Sequence, residues 1–415
     1  MTFKRRWRWA GAALLLATVA VGLALRQMGR AGPATAIAAR ALQANSLQAA
    51  ASSASGAVPA SVPVAAATAG GAPATAASSP FVEVCGHGRV LRSELEQREG
   101  EPPPAWVEAL DRQDRQARSE LLKRLDAGPP RRRAAAALLR EDVQGAALLA
   151  ASTDDGMTYQ LALRACRKDA AYRLIYAAHR AQPPASAASG FVMPELPAPG
   201  APPAACASLT LERSEMLQPD DAWPALARLA DAQNRNDAAA TQQALYQLAQ
   251  KPRQAYSARP LSQVLSEVVG AEPTAGESML LMDAAGADMM TIVEASPANV
   301  ARACRPPQLA DANRRQLCEQ VARRLPAMTT ELFDAALLYG LEELLGLPHS
   351  PQAVSKEELA RLQADLRENG MYWVEEPSCA NFARAGQHAV MRAREGELAF
   401  GRARQKARAA ASAPR

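Results

Sequence analysis

Proline spacing limits this chain more than any other feature. Beyond Cys206, breaks fall at Pro252, Pro260, Pro273, Pro297, Pro306-Pro307, Pro326, Pro348 and Pro351. Proline lacks a backbone N–H and clashes with the turn before it, so a helix ends at or near each site and a central strand is excluded there. The intervals are rich in Ala and Leu, and aromatics make up only 4% of the chain. Ala is the best helix former and a poor strand former. The expectation is an all-α fold. Short helices joined by tight turns would stack as an irregular α-solenoid or a bundle of antiparallel helical hairpins.

Turn and cap signals locate the helices. Phe81-Val82-Glu83-Val84-Cys85-Gly86-His87-Gly88 reads as one short strand or an extended arm. After Pro102–Pro104 comes a helix through Trp106, Leu110, Leu121 and Leu125, ended by Gly128-Pro129-Pro130. One helix is expected from about Arg132 to Ala151. Ser152-Thr153-Asp154-Asp155 supplies the cap for helices reaching about Arg180. Residues 181–205 contain seven prolines and read as a long loop or as a boundary between helical subdomains 81–180 and 206–411. Asp220 and Asp221 cap a helix with Pro224 in its first turn, Asn234–Asp237 form a turn, and Ala238–Gln250 return. Ser278 to Met290 reads as a core helix. Ser355-Lys356-Glu357-Glu358 is a capping box, and one last helix runs from about Cys379 into the basic tail.

Trp223, Leu226, Ala227 and Ala239 suit the pattern of a tetratricopeptide-type hairpin, and residues 222–252 resemble one such unit. Ala230, Gln243 and Tyr246 depart from that pattern, and no clear second copy follows. The resemblance implies peptide or protein binding in a concave groove, without chemistry.

At the other end, Lys4, Arg5, Arg6 and Arg8 precede an uncharged run from Trp9 to Leu25, closed by Arg26. Its seventeen residues cover roughly 25 Å as a helix, the short end of what spans a bilayer. Residues 1–30 are read as an uncleaved membrane anchor. The alternatives are a cleaved signal peptide, whose first Ala-x-Ala sites near Ala34–Ala38 lie far downstream, and a twin-arginine signal using Arg5-Arg6, in which Arg8 is misplaced. The cation bias places the N-terminus in the cytoplasm and the body in a bacterial periplasm. Residues 31–80 are mostly Ala, Ser, Pro, Gly, Val and Thr, and read as a disordered tether with a reach of roughly 40 Å.

The net charge of +5 is uneven. Residues 1–40 hold seven basic groups and no acid, and residues 391–415 hold seven basic groups against Glu395 and Glu397. The stretch between is therefore acidic. A solvated helix face, or contact with an acidic partner or lipid headgroups, accounts for the C-terminal charge. Nucleic-acid binding is not expected, because no basic stripe interleaves with aromatics.

Six cysteines, Cys85, Cys166, Cys206, Cys304, Cys318 and Cys379, suggest disulfides in an exported chain. Six allow fifteen connectivities, and buried free thiols are the alternative. Cys304 with Cys318 brackets a proline pair and a helix start, and such a bridge stabilises by roughly 3 kcal/mol. Cys166 with Cys206 would staple the proline-rich stretch. Cys85 with Cys379 remains.

Few residues carry a chemical signature. His87, His179, His349 and His388 form no HxH or HExxH pair, and Cys85-x-His87 lacks the second pair that a structural zinc site needs. Gly276-Glu277-Ser278 lacks the second glycine of a nucleophile elbow. Glu277-Ser278 matches the Glu-Ser step of lytic transglycosylases without the motifs that normally follow. Asp154-Asp155 and Glu375-Glu376 read as a cap and a solvated turn. No metal, cofactor or catalytic residue is assigned. The function expected is a membrane-tethered, extracytoplasmic interaction or scaffold module that binds another envelope protein, with Trp223, Tyr372 and Trp373 as contact candidates unless they are core. A cell-envelope hydrolase acting on peptidoglycan is the alternative.

Overall fold

The structure, a computed structural model, describes residues 79–95, 103–181, 198–250, 258–292, 295–325, 329–350, 354–368 and 376–412. The Trp9–Leu25 anchor, most of the 31–80 tether, Tyr372 and Trp373 lie outside these residues. Among the described residues the fold is fifteen α-helices with one β-hairpin, and no helix is long and apolar enough to cross a membrane.

The hairpin pairs β1 (Phe81–Val84) with β2 (Gly88–Leu91), antiparallel, with Val82 opposite Val90. Side chains alternate along a strand, so the two valines face inward and are buried while Phe81 and Leu91, also opposite each other, face out. A hairpin this short is marginal alone in water. It is held by packing on Leu110, Met279 and Phe382, and by a hydrogen bond from the Cys85 N–H to the Pro377 carbonyl (2.8 Å).

The helices follow as α1 (Ala105–Asp126), α2 (Pro130–Leu139), α3 (Val143–Ala151) and α4 (Gly156–Ala181). Then come α5 (Leu211–Leu217), α6 (Trp223–Asn234), α7 (Ala238–Gln250), α8 (Pro260–Val269), α9 (Ala275–Ile292) and α10 (Pro297–Ala303). The last five are α11 (Ala312–Arg324), α12 (Leu332–Leu345), α13 (Lys356–Glu368), α14 (Cys379–Glu395) and α15 (Glu397–Ser412). Prolines open α2, α8 and α10, where the missing N–H is one the helix leaves unpaired anyway. The side chain of Asp221 accepts from the Trp223 N–H (2.8 Å) beside Pro224, and Ser355 accepts from the Glu358 N–H (3.1 Å). α6 and α7 fold back on each other over the turn read from Asn234–Asp237.

Two expected helices are each two. The stretch from Arg132 to Ala151 breaks at Glu141, which adopts a left-handed conformation (φ 64°), and restarts with Asp142 accepting from the Gly145 N–H (2.7 Å). The C-terminal helix breaks at Gly396, whose φ of 85° suits glycine. The new direction lays α15 across α13.

Small residues set the packing. On α2, Ala134 to Ala137 are all buried, which lets neighbouring helices approach closely. At Gly386 a Cβ would overlap Ser278 and Pro273, so glycine permits the close contact of α14 with α9. One core gathers around Trp223, from α2, α3 and α4 through α6, α7, α10, α11 and α12. A second joins α1, α2 and α4 with α8, α9 and α14. Both cores draw residues from either side of the 181–205 stretch, so the helices before and after it share their interior. A third, small core of Leu332, Ala335, Val354, Leu362, Leu398 and Phe400 lies in the C-terminal corner between α12, α13 and α15.

Candidate functional site

The cysteines form three bonded pairs. Cys85–Cys379, Cys166–Cys206 and Cys304–Cys318 have Cα separations of 4.6, 5.6 and 5.8 Å, within the range a disulfide spans. No cysteine is left free. Cys166–Cys206 ties α4 to the short 3-10 turn Ala204–Ser208. Beside it, Arg173 donates to the carbonyls of Gly200 (2.6 Å) and Ala201 (3.1 Å), and the Ala205 N–H donates to Gln144 (3.0 Å). The end of the proline-rich stretch is thus fixed against α3 and α4. An open cleft of about 400 Å³ runs along this contact. Its one arginine is already engaged by those carbonyls and by Asp169 (2.7 Å).

The residues read for chemistry have structural roles. Cys85 is bonded to Cys379, so its sulfur is not a thiolate ligand beside His87. Among the described residues no group of three or more His, Cys, Asp or Glu is placed to hold a metal ion. Glu277 sits in the first turn of α9, where its carboxylate accepts from the Thr274 N–H (3.0 Å) and hydroxyl (3.1 Å) and pairs with Arg124. Burial alone would raise its pKa, but these hydrogen bonds together outweigh burial and hold it below the usual value. A general acid needs the opposite shift. The Ser278 hydroxyl is buried and donates to the Thr274 carbonyl (2.8 Å). Asp155 caps α4 by accepting from the Thr158 N–H (3.1 Å), and Asp154 faces Arg213 (3.3 Å). Glu376 pairs with Arg92 (2.7 Å). Glu375 and the His179 side chain lie outside the described residues.

Trp223 is corrected from contact candidate to core. It is 1% exposed, beneath the Arg164 guanidinium at 4.5 Å, where ring area is most effectively buried. The exposed apolar side chains are elsewhere: Leu174 on α4 and Met216 on α5 are each about three-quarters exposed, with Leu148 on α3 and Tyr246 on α7 at half or more.

Part of the C-terminal basic charge is met within the chain. Arg402 and Arg404 of α15 reach Glu358 (2.7 Å) and Asp365 (3.4 Å) of α13, and Arg408 also pairs with Asp365. His388, on α14, packs on Phe400 at 5.0 Å. Burial, together with Arg404, Arg392 and Arg384, lowers its pKa to about 4.

Sequence inspection missed the buried charges. Arg259, at the start of α8, donates to both oxygens of Glu331 (3.1 and 2.6 Å) and lies 3.5 Å from Glu397. Glu397 also accepts from the Leu332 N–H (3.1 Å). Asp334, in the first turn of α12, is fully buried. Asp288 is buried too, and caps α8 by accepting from the Leu261 (3.2 Å) and Ser262 (2.8 Å) N–H groups. Burial raises the pKa of Asp288, Glu331 and Asp334. The readable signal was Asp334 itself: it shares the helix face of Leu338, Leu341 and Leu345, at offsets of four, seven and eleven, where an apolar residue belongs.

No protein-family model matches the chain, and no curated protein or solved structure shows significant similarity to it.

Proposed function

We propose that this chain is a membrane-tethered, extracytoplasmic helical protein that acts as an interaction or scaffold module for another envelope protein. The observation that carries the reading is the complete pairing of its cysteines. Three disulfides persist in an oxidising compartment and are rare where thiols are kept reduced. The basic-then-apolar N-terminus supplies an export route and an anchor, and residues 31–80 supply the reach. The α6–α7 hairpin, in the region that resembles a tetratricopeptide-type unit, supports a binding role. Exposed Leu148, Leu174, Met216 and Tyr246 are apolar positions a partner would cover. The raised carboxylates Asp288, Glu331 and Asp334 are sealed in the interior, so none of them serves the hydrolase alternative as an accessible acid.

In-cell cross-linking of the tagged chain at native level, followed by mass spectrometry, tests the proposal. It predicts a stoichiometric envelope protein cross-linked to residues 207–400. Recovery of glycan fragments alone, or of no protein, contradicts it.

A further inference from the structure

Besides Asp365, which the arginines of α15 pair, the C-terminal corner holds five buried ionisable groups. Arg259, Glu331, Glu397 and Arg392 are all buried. Arg259 lies against both glutamates, and the charge of Arg392 reaches Glu331. Two cations and two carboxylates balance. Asp334 is the fifth group: it is 0% exposed, and among the described residues neither of its oxygens has a hydrogen-bond partner. An ionised Asp334 would be an uncompensated anion near two others. Burying such an ion unpaired is costly. Its place in the first turn of α12 returns only a small part of that cost through the helix dipole. A protonated carboxyl leaves an unsatisfied polar group, a smaller penalty. The neutral form wins.

The same corner seats the last helix. Glu397 opens α15 and accepts from the Leu332 N–H, while the Leu398 N–H donates to the Thr330 carbonyl (2.9 Å). Leu398 and Phe400 are the buried apolar side chains α15 contributes to the small core. Beyond Gly401 its charged side chains face α13, His388 of α14 (through Arg404) or solvent.

We propose that Asp334 is a buried proton site and that the corner is a proton-held latch: a neutral Asp334 keeps α15 seated on α12 and α13, and release of its proton to water sets Asp334 against Glu397 and loosens α15. The groups whose charges act on Asp334 are Glu331, the N-cap residue of α12, and Glu397 on α15, which hold the proton, and Arg259 at α8, which opposes them; α10, α11 and α13, also packed on α12, are not among the sources. Burial first, and then the two glutamates, holds its pKa well above the ordinary value of 3.8. A carboxyl raised on folding lends stability that is full below its unfolded pKa and is lost as pH rises through the folded value. Alkali is therefore the releasing direction.

The test is amide hydrogen exchange on the full chain, expressed as protection factors, from about pH 5 to about pH 8.5. In the unmodified chain, protection over Arg402–Ala409 is expected to fall by about tenfold or more across that range, while α6 and α7 hold theirs. In Asp334→Asn the fall is expected to shrink below about twofold. An equal fall in both chains, or none in the unmodified chain, overturns the proposal. Infrared difference spectroscopy at about pH 6.5, where ordinary carboxyls are almost fully ionised, supplies an independent readout: the protonated-carboxyl band of the unmodified chain is expected to be larger than that of Asp334→Asn. An equal band in both chains also overturns the proposal. If Asp334→Asn does not fold, Glu397→Gln substitutes: with one repelling carboxylate gone, the midpoint of release should move to lower pH, and an unmoved midpoint counts against the latch.

Discussion

The core around Trp223 and the corner around Asp334 are built from similar helices and sealed by different means. Around Trp223 the interior is mostly Ala, Leu and Val, with Tyr159 and, beside the tryptophan, the buried Arg164 and Asp221, and two of the three disulfides have cysteines inside it. Around Asp334 the apolar cluster is six residues, without a cystine, and buried charges and ion pairs supply the remaining contacts. Apolar burial and covalent ties are indifferent to pH, and salt does not screen them. Charge pairs respond to both. Under the proposed latch, one chain combines a fixed part with a responsive part, and the difference lies in what occupies the helix faces rather than in helix content.

The comparison can be broken most severely through the covalent ties. Replacing Cys85 and Cys379 by serine opens a link spanning 294 residues and should cost on the order of 5 kcal/mol in denaturant unfolding. A loss below about 1 kcal/mol would mean the hairpin stays docked by packing alone. Next in size are the aromatic anchors. Trp223→Ala should cost about 3–5 kcal/mol and lower protection throughout the fixed core. Phe400→Ala should instead expose α15 while α6 and α7 stay protected. If both substitutions unfold the molecule as one unit, the division into two regions fails.

His388 sharpens the contrast at low pH. Its folded pKa of about 4 lies below the ordinary 6.5, so the stability it lends is present above 6.5 and is lost as pH falls toward 4. With Asp334 acting in the other direction, the corner should loosen toward acid through His388 and toward alkali through Asp334. An imidazole NMR titration with a midpoint near 6.5 would contradict this. The smallest effect belongs to the half-exposed pairs of Arg402 and Arg408 with α13, each worth about 0–1 kcal/mol. Raising salt from low to about 0.5 M should weaken α15 protection slightly and leave α6 unchanged.

Much of the frame was legible in the sequence because prolines, caps and cysteines act locally or in small combinations. Ala238–Gln250 followed from turn residues; two of the pairings followed from which loops a bridge would close, and Cys85–Cys379 was what remained. The break at Glu141 was not legible, because a glutamate in a left-handed conformation carries no glycine or proline to announce it. The break at Gly396 was announced, but Glu395 and Glu397 on either side suited a continuous helix. The buried cluster was hidden for another reason. Arg259 and Glu331 are 72 residues apart, and Arg259 and Glu397 meet only when α8 and α15 converge on α12. Each charge taken singly resembles a surface residue, and only Asp334 on a leucine face carried a signal.

The most direct test of the account is thiol labelling of the full chain taken from cells, denatured without reductant and counted by mass spectrometry. An exported, fully cross-linked body predicts no labelled cysteine until reductant is added, and six afterwards. Six labelled thiols before reduction would contradict both the pairing in the cell and the placement outside the cytoplasm.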